Sequence, residues 1–96
     1  MSFSIAGKTA IVTGAANGVG LAIGRHFLAE GANVVFADMD EERLVKELGS
    51  SKVEPELYRT FACDLRQKLS INNLLSMTID SFERVDILVN ASRQLI

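Results

Sequence analysis

The chain has 96 residues, 48% of them hydrophobic and 23% charged, which fits one globular domain at most and excludes a disordered chain. Its formal net charge of −2, with lysines and arginines scattered singly, leaves no basic field for nucleic acid or an anionic membrane surface. A single cysteine and a single histidine exclude an internal disulfide framework and a Cys/His zinc site.

The opening "MSFSIAGK" has no charged segment ahead of an apolar one, as a signal peptide would. No apolar stretch approaches the roughly 18 residues that a membrane helix needs, so a cytoplasmic location without membrane contact is expected. Residues 8–13, "KTAIVT", are short, apolar and β-branched between Gly7 and Gly14 and predict a buried strand. From 18 to 30 the apolar positions Val19, Ala22, Ile23 and Phe27 fall on one helical face, and Gly31 ends the helix. "NVVFAD" (33–38) predicts a second buried strand. Asp40 then stands as N-cap of "EERLVKELG", with Leu44, Val45 and Leu48 facing inward and Gly49 as the stop.

The only proline, Pro55, falls in the polar loop "SSKVEPE". "LYRTFACD" (57–64) follows as a third strand. Ile71, Leu74, Leu75, Thr78, Ile79 and Phe82 trace a helical stripe, and "VDILVN" (85–90) is a fourth strand. The plan βαβαβαβ predicts an α/β fold: a doubly wound, Rossmann-type parallel sheet of order 3-2-1-4 with helices on both faces. "DILVN" then forms an apolar edge that calls for further strands.

The turn between the first strand and first helix reads "TGAANGVG", residues 13–20. Gly14 leaves the strand where a residue without Cβ can take angles closed to others. Gly18 and Gly20 open the helix, whose first amide N–H groups lack internal partners and sit at the positive end of the dipole. Such a turn suits a diphosphate, which a methyl at either position would hold away. The alternative is that the glycines only allow tight helix–strand packing. The spacing G-x-x-x-G-x-G differs from the common dinucleotide fingerprint, and no Gly-Lys-Ser/Thr marks a mononucleotide loop.

Asp38 ends the second strand, 18 residues after Gly20, where an acid can accept from both ribose hydroxyls of an adenosine. A 2′-phosphate there would be repelled by a few kcal/mol at ~4 Å and an effective dielectric near 20. Neither Met39 nor Asn17 brings a positive charge, so NAD is expected over NADP. The alternative for Asp38 is a helix-capping or solvated loop carboxylate.

With "GKTAIVTGAANGVGLAI", "FADMD", "CDL" and "DILVNAS", the chain resembles the short-chain dehydrogenase/reductase family along its whole length. The resemblance implies that Gly14, Asn17 and Val19 line the pyrophosphate, with Gly18 and Gly20 in the same turn. It places Asp38, with Met39 beside it, at the adenosine ribose, and Asp64 and Leu65 around the adenine, Asp64 accepting from its exocyclic amine. Asn90 and Ala91 would lie against the adenosine ribose. Two departures stand out. The family continues N-N-A-G where this chain has "NASR", and its common glycine before the fourth strand is absent from "FERVD", where Glu83 implies a different helix ending.

Catalysis in that family implies a Tyr assisted by a Lys four residues later, with a Ser and an Asn nearby; the cation brings a phenol of pKa near 10 toward neutrality. The only Tyr is Tyr58, with Ala62 four residues on, so no catalytic residue is assigned. His26 reads as a surface histidine, Cys63 beside Asp64 as inert, and the cluster Asp38, Asp40, Glu41 and Glu42 as helix-start acids rather than metal ligands. The expectation is the N-terminal, cofactor-binding part (1–96) of an NAD-dependent oxidoreductase of alcohols or ketones, catalytically inactive alone. A truncated chain, a shortened gene and a partial model of a longer enzyme all remain open, and the parent is expected to be a homo-oligomer. The alternatives are a non-catalytic adenosine-nucleotide module, or a scaffold pairing through its fourth strand.

Overall fold

A computed structural model describes residues 4–49 and 55–91. The predicted loop before Pro55 (positions 50–54), and the Ser and Arg of "NASR", lie outside the described residues. In chain order the elements are β1 (Thr9–Thr13), α1 (Gly18–Ala29), β2 (Asn33–Asp38), α2 (Glu41–Gly49), β3 (Tyr58–Ala62), α3 (Lys68–Phe82) and β4 (Ile87–Asn90), with a 3-10 turn at Pro55–Leu57 before β3. The strands form one sheet of order β3-β2-β1-β4, and every pairing is parallel. This is the predicted Rossmann-type α/β fold, with β1, β3 and β4 shorter than read.

Alternating side chains of the two central strands feed two cores. Val12, Val34 and Phe36 pack with Leu21, Leu28, Leu44 and Leu48 of α1 and α2. Ile11, Val35 and Ala37 pack on the opposite face with Leu74 of α3 and Cys63. Both faces of β1 and β2 are thus covered, which explains their unbroken apolar sequences.

The helix faces differ from the reading in detail. On α1 the sheet-facing residues are Gly20, Leu21, Gly24 and Leu28, while Val19 is 63% exposed and Ala22 is also outside. The reason is proximity: a Cβ at Gly24 would lie 2.1 Å from the Phe36 ring, so the helix meets β2 through its glycines. Val45 on α2 and Leu75 and Ile79 on α3 are likewise exposed, leaving Leu44, Leu48, Leu74 and Thr78 as the buried positions. Glu83 caps the helix in the left-handed region at φ 67°, the conformation that glycine adopts without steric cost.

Asp86 ties the start of β4 to β1. Its Oδ2 accepts from Thr9 N–H at 2.9 Å, its own N–H donates to Thr9 O at 2.9 Å, and Arg84 pairs with its carboxylate at 2.7 Å. β4 is an edge strand, and its Leu88 is 66% exposed.

Candidate functional site

The carboxyl ends of the four strands converge. The register sets Thr13 beside Ala37 of β2 and Asn90 of β4, and Asp38 beside Ala62 of β3. β1 is where the winding direction reverses, and open α/β sheets bind ligands in the crevice beyond such a point. A cleft of about 100 Å³ opens there, and Gly14, Asp38, Met39, Asp64 and Leu65 are among the residues lining it.

Two of the three glycines of the turn have different physical reasons within the fold, and the third has none among the described residues. Gly14 takes φ 66°, the left-handed region that favours glycine. Gly20 is held by packing, since a Cβ there would lie 2.7 Å from Gly14 O and 2.8 Å from Ala15 Cα. Its N–H donates to Asn17 Oδ1 at 2.9 Å. A methyl at position 20 would thus clash within the turn itself. Gly18 is the contrast: among the described residues, a Cβ there would meet nothing within 4 Å.

Asn17 caps α1 and also reaches across the sheet end, its Nδ2 donating to Ala91 O at 2.8 Å. Ala91 N–H in turn donates to Thr13 O at 2.9 Å. The Thr13 hydroxyl donates to Asn90 Oδ1 at 3.1 Å, with Val89 O as a longer acceptor at 3.4 Å. The turn and the end of β4 are one hydrogen-bonded unit, and the backbone of Ala91 belongs to it despite the departure from N-N-A-G.

Asp38 faces the same unit from β2. Its Oδ2 accepts from Ala16 N–H at 3.0 Å and its Oδ1 from Asp40 N–H at 2.9 Å. Two backbone amides orient the carboxylate, and each oxygen keeps acceptor capacity. Asp40 caps α2 through Arg43 N–H at 3.1 Å. Among the described residues no group of three His, Cys, Asp or Glu is placed to hold a metal.

Beyond β3, Asp64 N–H donates to Ser70 Oγ at 3.1 Å. Its carboxylate is gripped by Arg66, with Nε to Oδ1 and Nη2 to Oδ2 each 3.0 Å and the Arg66 N–H also 3.0 Å from Oδ1. The hydrogen bonds from the Arg66 side chain, then its N–H, hold the Asp64 carboxyl below its ordinary range. Cys63 is buried at 4% exposure, its N–H donating to Asp38 O. Tyr58 stacks edge-on against Phe36 at 6.1 Å between ring centres, and His26 lies exposed 4.0 Å from Glu30.

The comparisons agree with this geometry. The family model described as short chain dehydrogenase matches residues 8–93. The chain belongs to the short-chain dehydrogenase family. It is 36% identical over 93 residues to D-threitol dehydrogenase of Mycolicibacterium smegmatis, covering 94% of this chain and 35% of that protein. Among solved structures it is similar to 3-ketoacyl-(acyl-carrier-protein) reductase from Brucella melitensis complexed with NADH (31% identity, TM-score 0.74, covering 88% of this chain and 34% of that one). It is also similar to the N-domain, with NADP, of a bacterial malonyl-CoA reductase (36% identity, TM-score 0.83, covering 94% and 17%). Short-chain dehydrogenases of this fold thus bind nicotinamide cofactors of both kinds. The chain spans about a third of the length of the curated relatives it matches.

Sequence reasoning missed four residues of this site. Ala16 orients Asp38 through a backbone amide, which leaves no trace in residue type. Gly24 sets how close α1 lies to the sheet, and only its place one turn after Gly20 hints at that. Thr13 and Arg66 adjoin residues that were singled out; the polar Thr at the end of an apolar strand and the Asp-x-Arg spacing are the signals that point to them.

Proposed function

We propose that this chain is the N-terminal, dinucleotide-binding part of a short-chain dehydrogenase and that it holds NAD(H). Gly18 carries the reading. A position where a Cβ would meet nothing within 4 Å among the described residues, at the start of a helix whose first N–H groups lack internal partners, suits a group from outside the chain that needs close approach. The Gly18–Val19 turn, with Gly14 and Gly20 framing it, holds the diphosphate. Asp38 accepts from the adenosine ribose and disfavours a 2′-phosphate; Met39 and Leu65 flank the adenine at Asp64; and Asn90 and Ala91 bound the ribose side through the unit they form with Thr13 and Asn17.

When bound, the nicotinamide supplies hydride exchange with a carbinol carbon, so the whole protein is an oxidoreductase of small alcohols or ketones. The 96 residues contain no Tyr followed four residues later by Lys, and the chain alone turns over no alcohol. The parent works as a cytoplasmic homo-oligomer.

Calorimetric titration of the chain with NAD, NADP and ADP-ribose tests this. Gly18→Ala is expected to leave thermal stability within about 1 kcal/mol and to weaken NAD binding at least tenfold. Asp38→Ala is expected to weaken NAD and to relax discrimination against NADP. Tight binding by Gly18→Ala would overturn the diphosphate reading, and an unchanged NAD:NADP ratio in Asp38→Ala would overturn the role of the acid.

A further inference from the structure

Of the five asparagines in the chain, Asn17 alone precedes a glycine. The amide carbon of an asparagine side chain is open to attack by the backbone nitrogen of the next residue, and a glycine there puts no Cβ in the way. Two observations leave this pair open to the reaction. Gly18 is exposed, and a Cβ at its position would meet nothing within 4 Å among the described residues, so water and a solvent base reach it. It also opens α1, where the first N–H groups lack partners inside the helix. Two others hold the reaction off. Asn17 Oδ1 accepts from Gly20 N–H at 2.9 Å while Nδ2 donates to Ala91 O at 2.8 Å, so both arms of the carboxamide are engaged. Ring closure needs Asn17 Cβ and the Gly18 nitrogen eclipsed about the Cα–C bond, and the extended ψ of 161° keeps them apart.

We infer that Asn17–Gly18 is a deamidation site gated by the fold: shut while Asn17 bridges α1 to the end of β4, and open when that end of the sheet frays. β4 is an edge strand of four residues, and such ends open at lower free energy than a core. Once Nδ2 leaves Ala91 O and ψ turns, the Gly18 nitrogen attacks Asn17 Cγ. The N–Cγ bond forms, the Gly18 proton passes to a solvent base, and the carboxamide nitrogen departs as ammonia. Water then opens the cyclic imide at one of its two carbonyls, leaving Asp or a β-linked isoaspartate. Neither product restores the bridge. Asp still caps α1, but its carboxylate has no proton for Ala91 O and adds a negative charge to the turn. Isoaspartate adds a methylene to the backbone and displaces the Gly18 N–H. Resting on the dinucleotide reading, either product loses the diphosphate, so ageing disables the turn irreversibly.

The test is incubation of the chain at mildly alkaline pH, native and in guanidinium chloride, followed by peptide mass mapping. The gain of about one mass unit that replacing NH₂ by OH brings is expected in the peptide that holds Asn17. It is expected to grow at least about tenfold faster in the denatured chain than in the native one, and to stay far smaller in the peptide that holds Asn33–Val34. Gly18→Ala is expected to slow the denatured-state conversion at least about tenfold. Equal rates in native and denatured chains, or a denatured chain that converts no faster at Asn17 than at Asn33, overturn the inference. Aged native chain and Asn17→Asp are expected to bind NAD at least about tenfold more weakly than fresh chain, with the helicity of α1 kept. Undiminished affinity in Asn17→Asp overturns the consequence drawn for the turn. If fresh chain binds no dinucleotide, the dinucleotide reading fails, while the mass measurement still decides whether the fold gates Asn17.

Discussion

The Asn17 amide joins two segments 74 residues apart, giving its N–H to Ala91 O at 2.8 Å and taking Gly20 N–H on its oxygen at 2.9 Å. One side chain thus both caps α1 and fixes the turn against the end of β4. Asn17→Ala removes the cap and leaves the Ala91 carbonyl without that donor, an expected loss of about 1–2 kcal/mol. Asn17→Ser keeps a capping oxygen but has no second arm for Ala91, so roughly half the loss is expected. Urea unfolding of the three chains checks the order; equal stability of Asn17→Ser and the original chain would show that the Ala91 bond contributes nothing.

Gly24 leaves room in α1 for the Phe36 ring of β2. A methyl at position 24 would lie 2.1 Å from one ring carbon and 2.7 Å from the next, and the ring is fully buried. Gly24→Ala is expected to destabilise by about 1–3 kcal/mol through overpacking, despite alanine's better helix propensity. Phe36→Leu introduced into the Gly24→Ala chain is expected to recover part of that loss, a coupling of at least about 1 kcal/mol in a double-mutant cycle. Additive effects would refute the contact.

Glu83 holds a left-handed conformation, φ 67°, that costs a residue with a Cβ on the order of 1–2 kcal/mol. Glycine avoids this cost but gives the unfolded chain more freedom. Glu83→Gly is therefore expected to stabilise by about 0.5–1 kcal/mol, a rise of a few degrees in Tm for a domain of this size. A lower Tm would mean that the carboxylate makes a compensating contact.

Asp86 makes folding depend on acidity. Its carboxyl lies below the ordinary range, first through the Arg84 side chain and then through Thr9 N–H. A folded-state value below the unfolded value of about 3.9 gives stability that is fully present above about pH 5 and is lost as pH falls through 4 toward the folded value. Asp64 adds to the same window, held down by Arg66. The Tm difference between the original chain and Asp86→Asn is expected to be largest above pH 5 and to shrink below pH 4. A difference that stays constant from pH 7 to pH 3 would contradict the linkage.

What the amino-acid sequence determined by itself was local or topological. Alternating apolar strands and helices, with right-handed crossovers, allow few arrangements, and the order β3-β2-β1-β4 follows from them. The glycine turn, Asp38 at the end of β2 and Asp64 beyond β3 could be placed because each sits at a strand end, where chain position dictates spatial position. Tertiary structure decided which helical stripe is buried and what each polar side chain does. Periodicity marks Val19, Val45 and Ile79 as apolar, but only the distance between helix and sheet selects the inner face, and α1 lies so close that glycines occupy it. Asn17 and Ala91, Asp38 and Ala16, and Gly24 and Phe36 are partners across separations that no local pattern records, because closing those distances is the work of the folded sheet.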